Sequence, residues 1–236
     1  IDYYLASAPT TPVTIEILDA KGKTIRTLSS EAAARGGRGG EASAAPSEDP
    51  ENPGGGRGRG APPVRLSANA GMNRLTWDFN DANGIMLPPG SYNVRLDANG
   101  KHDTQPLSLI LDPRLAADHI TTADLAAQYA HNIKMREMVD EANRVATRIR
   151  TARTNADKAN ASNLKDVRDL GVSMFGAGEG VRYGQPGLQT QITYLAGETT
   201  RVDQPVGQDA IDRAVELRKE LAALEARVAR VLGSQP

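Results

Sequence analysis

"GMNRLTWDFNDANGIMLPPGSYNVRL", residues 71–96, holds the chain's only Trp and decides between two readings of the fold. Its middle is a polar bend containing Asp78, Asn80, Asp81 and Asn83, and its ends alternate apolar and polar residues. A calcium loop would need oxygen ligands at its first, third and fifth positions, Gly at the sixth and a bidentate Glu at the twelfth. Counted from Asp78, the fifth position is Ala82, the sixth Asn83 and the twelfth Pro89, so no metal ligand is assigned. Two strands joined by a loop explain more. Leu75, Trp77 and Phe79 share one face of "RLTWDF", while Arg74, Thr76 and Asp78 share the other, the pattern of a strand with one dry side and one wet side. Beyond Pro88-Pro89-Gly90, Tyr92, Val94 and Leu96 repeat the alternation. On this reading Trp77 and Tyr92 are structural and point inward, and the Asp and Asn residues make loop hydrogen bonds ahead of Gly84.

The same logic extends outward. In "VTIEIL", residues 13–18, Val13, Ile15 and Ile17 lie on one face, and "DAKGK" turns the chain into "TIRTL", residues 24–28; this is a hairpin signature. Asn99-Gly100 supplies a tight turn that needs positive φ, with "PLSLIL" following at 106–111. Residues 29–63 are dominated by Gly, Ala, Ser, Pro and Glu. Such a stretch buries too little apolar surface to offset the entropy of ordering, and is expected to be a disordered insertion. The strands together predict an antiparallel β-sandwich over residues 1–112.

After Asp112-Pro113-Arg114 the period changes. Thr121 to Asp124 reads as a helix start, and Leu125, Tyr129, Ile133, Val139, Ala142, Val145 and Ile149 form an apolar stripe ending near Ala156. A short helix and an exposed glycine-rich connection at 171–187 follow, and "LQTQITYLAGETTRV", 188–202, reads as a shorter helix. Ala214, Leu217, Leu221, Leu224, Val228 and Val231 form a heptad seam. This seam needs a partner stripe, which the helix of 123–156 offers. The expected second domain, 113–236, is an antiparallel helical hairpin or small bundle, and the fold class is α+β in two domains.

Composition narrows the functions. With 236 residues the chain suits two ordinary domains, and a net charge of -1 gives no field to steer nucleic acid or an anionic membrane. No cysteine is present, which removes disulfides and thiolate chemistry. No apolar run reaches the roughly 20 residues that span a bilayer. The start, "IDYYLASAPT", has neither Met nor a signal-peptide core, so the chain is expected to begin inside something longer.

Other constellations have plain readings. In 29–63, Arg35, Arg38, Arg57 and Arg59 are outnumbered by Glu31, Glu41, Glu48, Asp49 and Glu51, with no aromatic to stack, which favours a flexible loop over an RNA-binding arm. "GAGEGV", 176–181, departs from a dinucleotide-binding turn because its third Gly comes one residue early and no strand precedes it. His102, His119 and His131 are dispersed, and no His-Glu-x-x-His pair or Gly-x-Ser-x-Gly elbow occurs. Acids are plentiful, but no groove of several aromatics accompanies a carboxylate pair. No catalytic residue, cofactor or metal is assigned. The heptad could serve dimerisation, although a matching stripe within the chain favours internal pairing.

The order "VTIEILDAKGKTIRTL", "GMNRLTWDF", "PPGSYNVRLDANGK" and "LILDPR", continued by "GLQTQITYL" and "ELRKELAALEARVARVL", resembles the C-terminal immunoglobulin-like and helical region of bacterial BNR-repeat, sortilin-like propeller proteins, often labelled glycosyl hydrolases. Trp77-Asp78, Gly84, Gly90 and Tyr92 are also similar to the immunoglobulin-like domain of flagellar hook-capping proteins. The first resemblance covers most of the chain. It implies an immunoglobulin-like sandwich whose first strand is "IDYYL", and a structural pair, Arg74 with Asp112, tying the sandwich to its exit strand. Two departures are the glycine-arginine insertion and the lack of any blade repeat or Ser-x-Asp-x-Gly-x-Thr-Trp box. The implied function is a non-catalytic accessory module of a larger periplasmic or secreted protein, packing beside an upstream β-propeller or contacting another protein. The alternative is a carbohydrate-binding accessory domain of an upstream glycoside hydrolase-like propeller, which would need Trp77 or Tyr92 exposed to stack on sugar.

Overall fold

The computed structural model describes residues 1–31, 65–159, 162–176 and 184–233. The fold is α+β, with antiparallel sheets of two and four strands and, among the described residues, five helices. The chain divides into two compact units, Ile1–Met86 with Gly90–Leu109, and Leu87–Pro89 with Ile110–Pro236. From residue 32 onward the expected insertion of 29–63 lies outside the described residues; Ser29 itself closes a strand.

In the strand unit, β1 (Asp2–Leu5) pairs with β4 (Gly71–Arg74), and the larger sheet runs β3-β2-β5-β6, with β2 Thr14–Leu18, β3 Thr24–Ser29, β5 Gly90–Ala98 and β6 Lys101–Leu109. Local chemistry makes both hairpins. The Asp19 carboxylate accepts from the Lys21 and Lys23 amides at 2.8 and 2.9 Å while Gly22 takes φ 82°, folding β2 onto β3. Asn99 and Gly100, with φ 52° and 73°, fold β5 onto β6. Two consecutive positive φ angles match the twist of the flanking strands, so pairing starts at once, Ala98 opposite Lys101. Consequently β6 begins at Lys101, ahead of the expected "PLSLIL", and ends at Leu109.

The strand expected over 74–79 is displaced. The β1–β4 ladder sets Asp2 opposite Arg74, and Leu75 exchanges one further pair of backbone bonds with Ile1. Leu75 and Trp77 remain buried, but Phe79 takes φ 58° and leaves its side chain 48% exposed. That left-handed residue turns the backbone, ending the alternation two residues earlier than its pattern implies.

In the helical unit, α1 is Pro113–Ala117, α2 Thr122–Ala159, α3 Leu164–Phe175, α4 Leu188–Glu198 and α5 Gln208–Leu232. Thr121 and Asp124 form a reciprocal cap: Asp124 N–H donates to Thr121 Oγ1 at 3.2 Å, and Thr121 N–H donates to Asp124 Oδ2 at 2.9 Å. At 38 residues α2 is about 57 Å long, and α3, α4 and α5 all pack against it. Leu217, Leu221, Leu224 and Val228 of α5 meet Met135, Met138, Ala142 and Ile149 of α2, Leu170 and Met174 of α3, and Ile192 of α4 in one core. The α2 stripe differs from the expected one. Met135 and Met138 are buried where Tyr129, Ile133 and Val139 are only partly so, because three helices draw on a wider arc of α2 than one partner would.

The glycine-rich connection is also shorter than expected, since α3 continues to Phe175 with Gly171 buried inside it. Gly176 then bridges Pro186, and a Cβ on Gly187 would fall inside van der Waals contact with the Phe175 and Gly176 backbones. Only a residue without a side chain lets the end of α3 and the start of α4 approach so closely.

Candidate functional site

The bend at 78–85 is closed chemistry. Asp81 is buried, and its Oδ1 accepts the Asn83 and Ile85 amides at 2.8 and 2.9 Å, folding the loop over Gly84 at φ 80°. Arg26 on β3 donates through one nitrogen to Asp78 Oδ1 at 3.0 Å and to the Asn80 and Asp81 carbonyls at 2.9 and 3.4 Å. Asp78 also accepts from the Asn80 amide groups. Although partial burial opposes it, the hydrogen bonds from Asn80 and the charge of Arg26 hold the Asp78 carboxyl below its ordinary value.

This bend seats Trp77. The indole is 6% exposed, donates Nε1–H to Asn80 O at 3.0 Å and meets the Phe79 ring edge-on with centroids 5.4 Å apart. Tyr92 is 9% exposed, and burial pushes its phenol above the ordinary value. Neither ring presents a face on which a sugar could stack.

The helical unit contains an open feature that periodicity does not announce. Between α4 and α5 lies a cleft of about 670 Å³, with Leu195 and Leu217 among its apolar lining, Pro205 and Val206 on the connecting loop, Gln128 of α2 also lining it, and Tyr194 standing 68% exposed. Volumes of roughly 300–1,000 Å³ are usual for ligand-binding hollows. Gln128, itself 6% exposed, donates to the Thr199 and Val202 carbonyls at 2.9 and 2.7 Å, and Asn132 donates to Thr199 O at 3.2 Å. Two polar side chains inside an otherwise apolar stripe are the sequence signal that could have exposed this pinned loop. Arg213 lines the cleft but already donates to Glu216, Glu220 and Gln191.

No family model, curated protein or solved structure matches the chain.

Arg74 and Asp112 fall in different units, and each has a charged partner within its own. Arg74 binds Asp2 with two hydrogen bonds of 2.6 and 2.9 Å, across the β1–β4 register that sets the two side by side. Asp112 caps α1 by accepting the Arg114 amide at 2.9 Å and also binds the Arg114 guanidinium. Those contacts hold its carboxyl down at about 2, the side-chain hydrogen bond from Arg114 being the largest cause. In each case a partner close in register or sequence satisfies the charge. His102 is exposed on β6, His119 follows α1 at φ 62°, and His131 is half-buried on α2, so the three histidines sit on different elements. Among the described residues no group of three or more His, Asp or Glu stands ready for a metal ion. No helix among them is long and apolar enough to cross a membrane. Of "GAGEGV", everything after Gly176 lies outside the described residues.

Proposed function

We propose that the chain is a non-catalytic accessory module of a larger periplasmic or secreted protein, with an immunoglobulin-like sandwich and a helical hairpin or bundle that pack against an upstream propeller or another protein. The observation that carries this reading is the sealed state of the polar loop at 78–85. Trp77 is covered, the Asp78 and Asp81 carboxylates are occupied by backbone and guanidinium donors, and Arg26 has the loop carbonyls as partners. Such a loop supports burial and shape, and association by such a module would proceed through apolar burial with a polar rim. The placement beside a propeller rests on the order of strand and helix motifs in the sequence.

Trp77, the single Trp, is the probe. Its emission should be blue-shifted, poorly quenched by acrylamide and unchanged by mixed plant and bacterial oligosaccharides. The polypeptide encoded upstream of Ile1, produced separately, should form a complex with this chain by sedimentation velocity. A sugar-dependent emission shift that saturates, or turnover of a glycan by this chain alone, would overturn the proposal.

A further inference from the structure

We propose that the cleft between α4 and α5 is a docking site for a partner-protein segment that presents an apolar side chain flanked by basic residues. The inference deepens the reading of the chain as a protein-contact module and rests on it. Three features carry it, the first being shape and surface. The hollow has the partly exposed Leu195, Val206 and Ala210 and the exposed Tyr194 ring in its lining, so an apolar side chain gains burial while a neighbouring cation can lie against the ring face.

Charge is the second feature. Glu198 and Asp209 line the cleft, and Glu216 and Glu220 stand at Arg213, the cation that also lines it. Arg213 is thus shared by two carboxylates, and Arg201 is taken by Glu198 at 2.9 Å. In the lining itself two carboxylates, Glu198 and Asp209, face one guanidinium, Arg213, which favours a basic occupant and opposes a phosphate, a nucleic acid or an acidic peptide.

Preorganisation is the third. The loop carrying Pro205 and Val206 leaves α4 through Thr199 and Val202, whose carbonyls are held by the buried Gln128 and Asn132 amides. On the other side Gln191 donates to Pro186 O at 2.8 Å and accepts from Arg213 at 2.6 Å. With these parts pinned before binding, little ordering entropy is lost on docking.

The test uses the intact chain and a short fluorescein-labelled peptide of Leu, Ala and Arg patterned as an amphipathic helix, beside a counterpart with Glu in place of Arg. Fluorescence anisotropy should show binding of the Arg peptide and weakening with salt, since the rim charges are exposed. Tyr194→Ala, at an exposed position that leaves the circular dichroism unchanged, should weaken binding by about tenfold. Glu198→Gln with Asp209→Asn should weaken it by about threefold and flatten the salt dependence. Failure of the Arg peptide to bind, equal binding of the Glu peptide, or indifference to Tyr194→Ala would overturn the proposal. A concentration-dependent dimer that Tyr194→Ala dissolves would overturn it in favour of self-association. None of these outcomes alters what Trp77 emission or association with the upstream polypeptide reports, so the two proposals fall separately.

Discussion

In the strand unit the Arg26 guanidinium gathers the carbonyls of Asn80 and Asp81, while in the helical unit the Gln128 amide gathers those of Thr199 and Val202. Both devices hold an irregular loop by satisfying backbone acceptors that regular structure leaves over. Their outcomes differ because of what lies nearby. Trp77 fills the space at the first loop and donates its indole N–H to the loop's Asn80 carbonyl, whereas a hollow is left beside the second. Pinning a loop therefore does not by itself make or close a site; the volume of the side chains beside it decides.

Four measurements bear on this contrast between a filled loop and an open one. Trp77→Ala should have the largest effect, about 3–5 kcal/mol lost in urea unfolding, because a buried indole leaves a cavity and the Asn80 carbonyl loses one of its two donors, keeping Arg26. A loss under about 1 kcal/mol would mean the ring does not fill the closed loop. Gly187→Ala should cost about 2–3 kcal/mol, since the added methyl meets backbone atoms that have no rotamer to yield. Its far-UV helicity should persist while its thermal midpoint falls. Gln128→Leu should cost about 1–2 kcal/mol and open the chain to proteolysis within 199–207, because two carbonyls lose a donor. Unchanged proteolysis would show that the loop is held by something else.

The smallest effect concerns pH. Burial first, and then a hydrogen bond and like charge from Glu141, hold the Glu225 carboxyl above its ordinary value, while Arg218 on the same helix binds Glu141. A raised carboxyl value means that the folded state binds the proton more tightly than the unfolded chain does. Its contribution is full below the unfolded value of roughly 4.3 and is lost as pH rises through the higher folded value. Glu225→Gln should flatten that part of the stability profile and raise neutral-pH stability by at most about 0.5 kcal/mol, given its solvent access. Thermal midpoints between about pH 4 and pH 8 would check the sign.

Sequence reading succeeded where the cause is local. Asp19 and Gly22, Asn99-Gly100, and the Thr121–Asp124 cap each operate within a few residues and stand where their chemistry points. The α5 seam was legible too, because one buried arc of a straight helix repeats regularly whichever helices cover it. Phe79 departs from its pattern because alternation presumes an extended backbone, and one left-handed residue cancels that premise. Arg74 shows the other limit. Any of many carboxylates could neutralise it, and only the β1–β4 register selects Asp2.

From its amino acids alone the chain determines where strands turn, where helices start and which stripe of α5 is dry, since those properties depend on dihedral preferences and spacing over a few residues. Only in three dimensions does it emerge that Gly187 must lack a side chain, that Gln128 faces inward and that a cleft remains between α4 and α5. Each of these depends on how much volume residues distant in sequence bring to one place, and no local pattern encodes that sum.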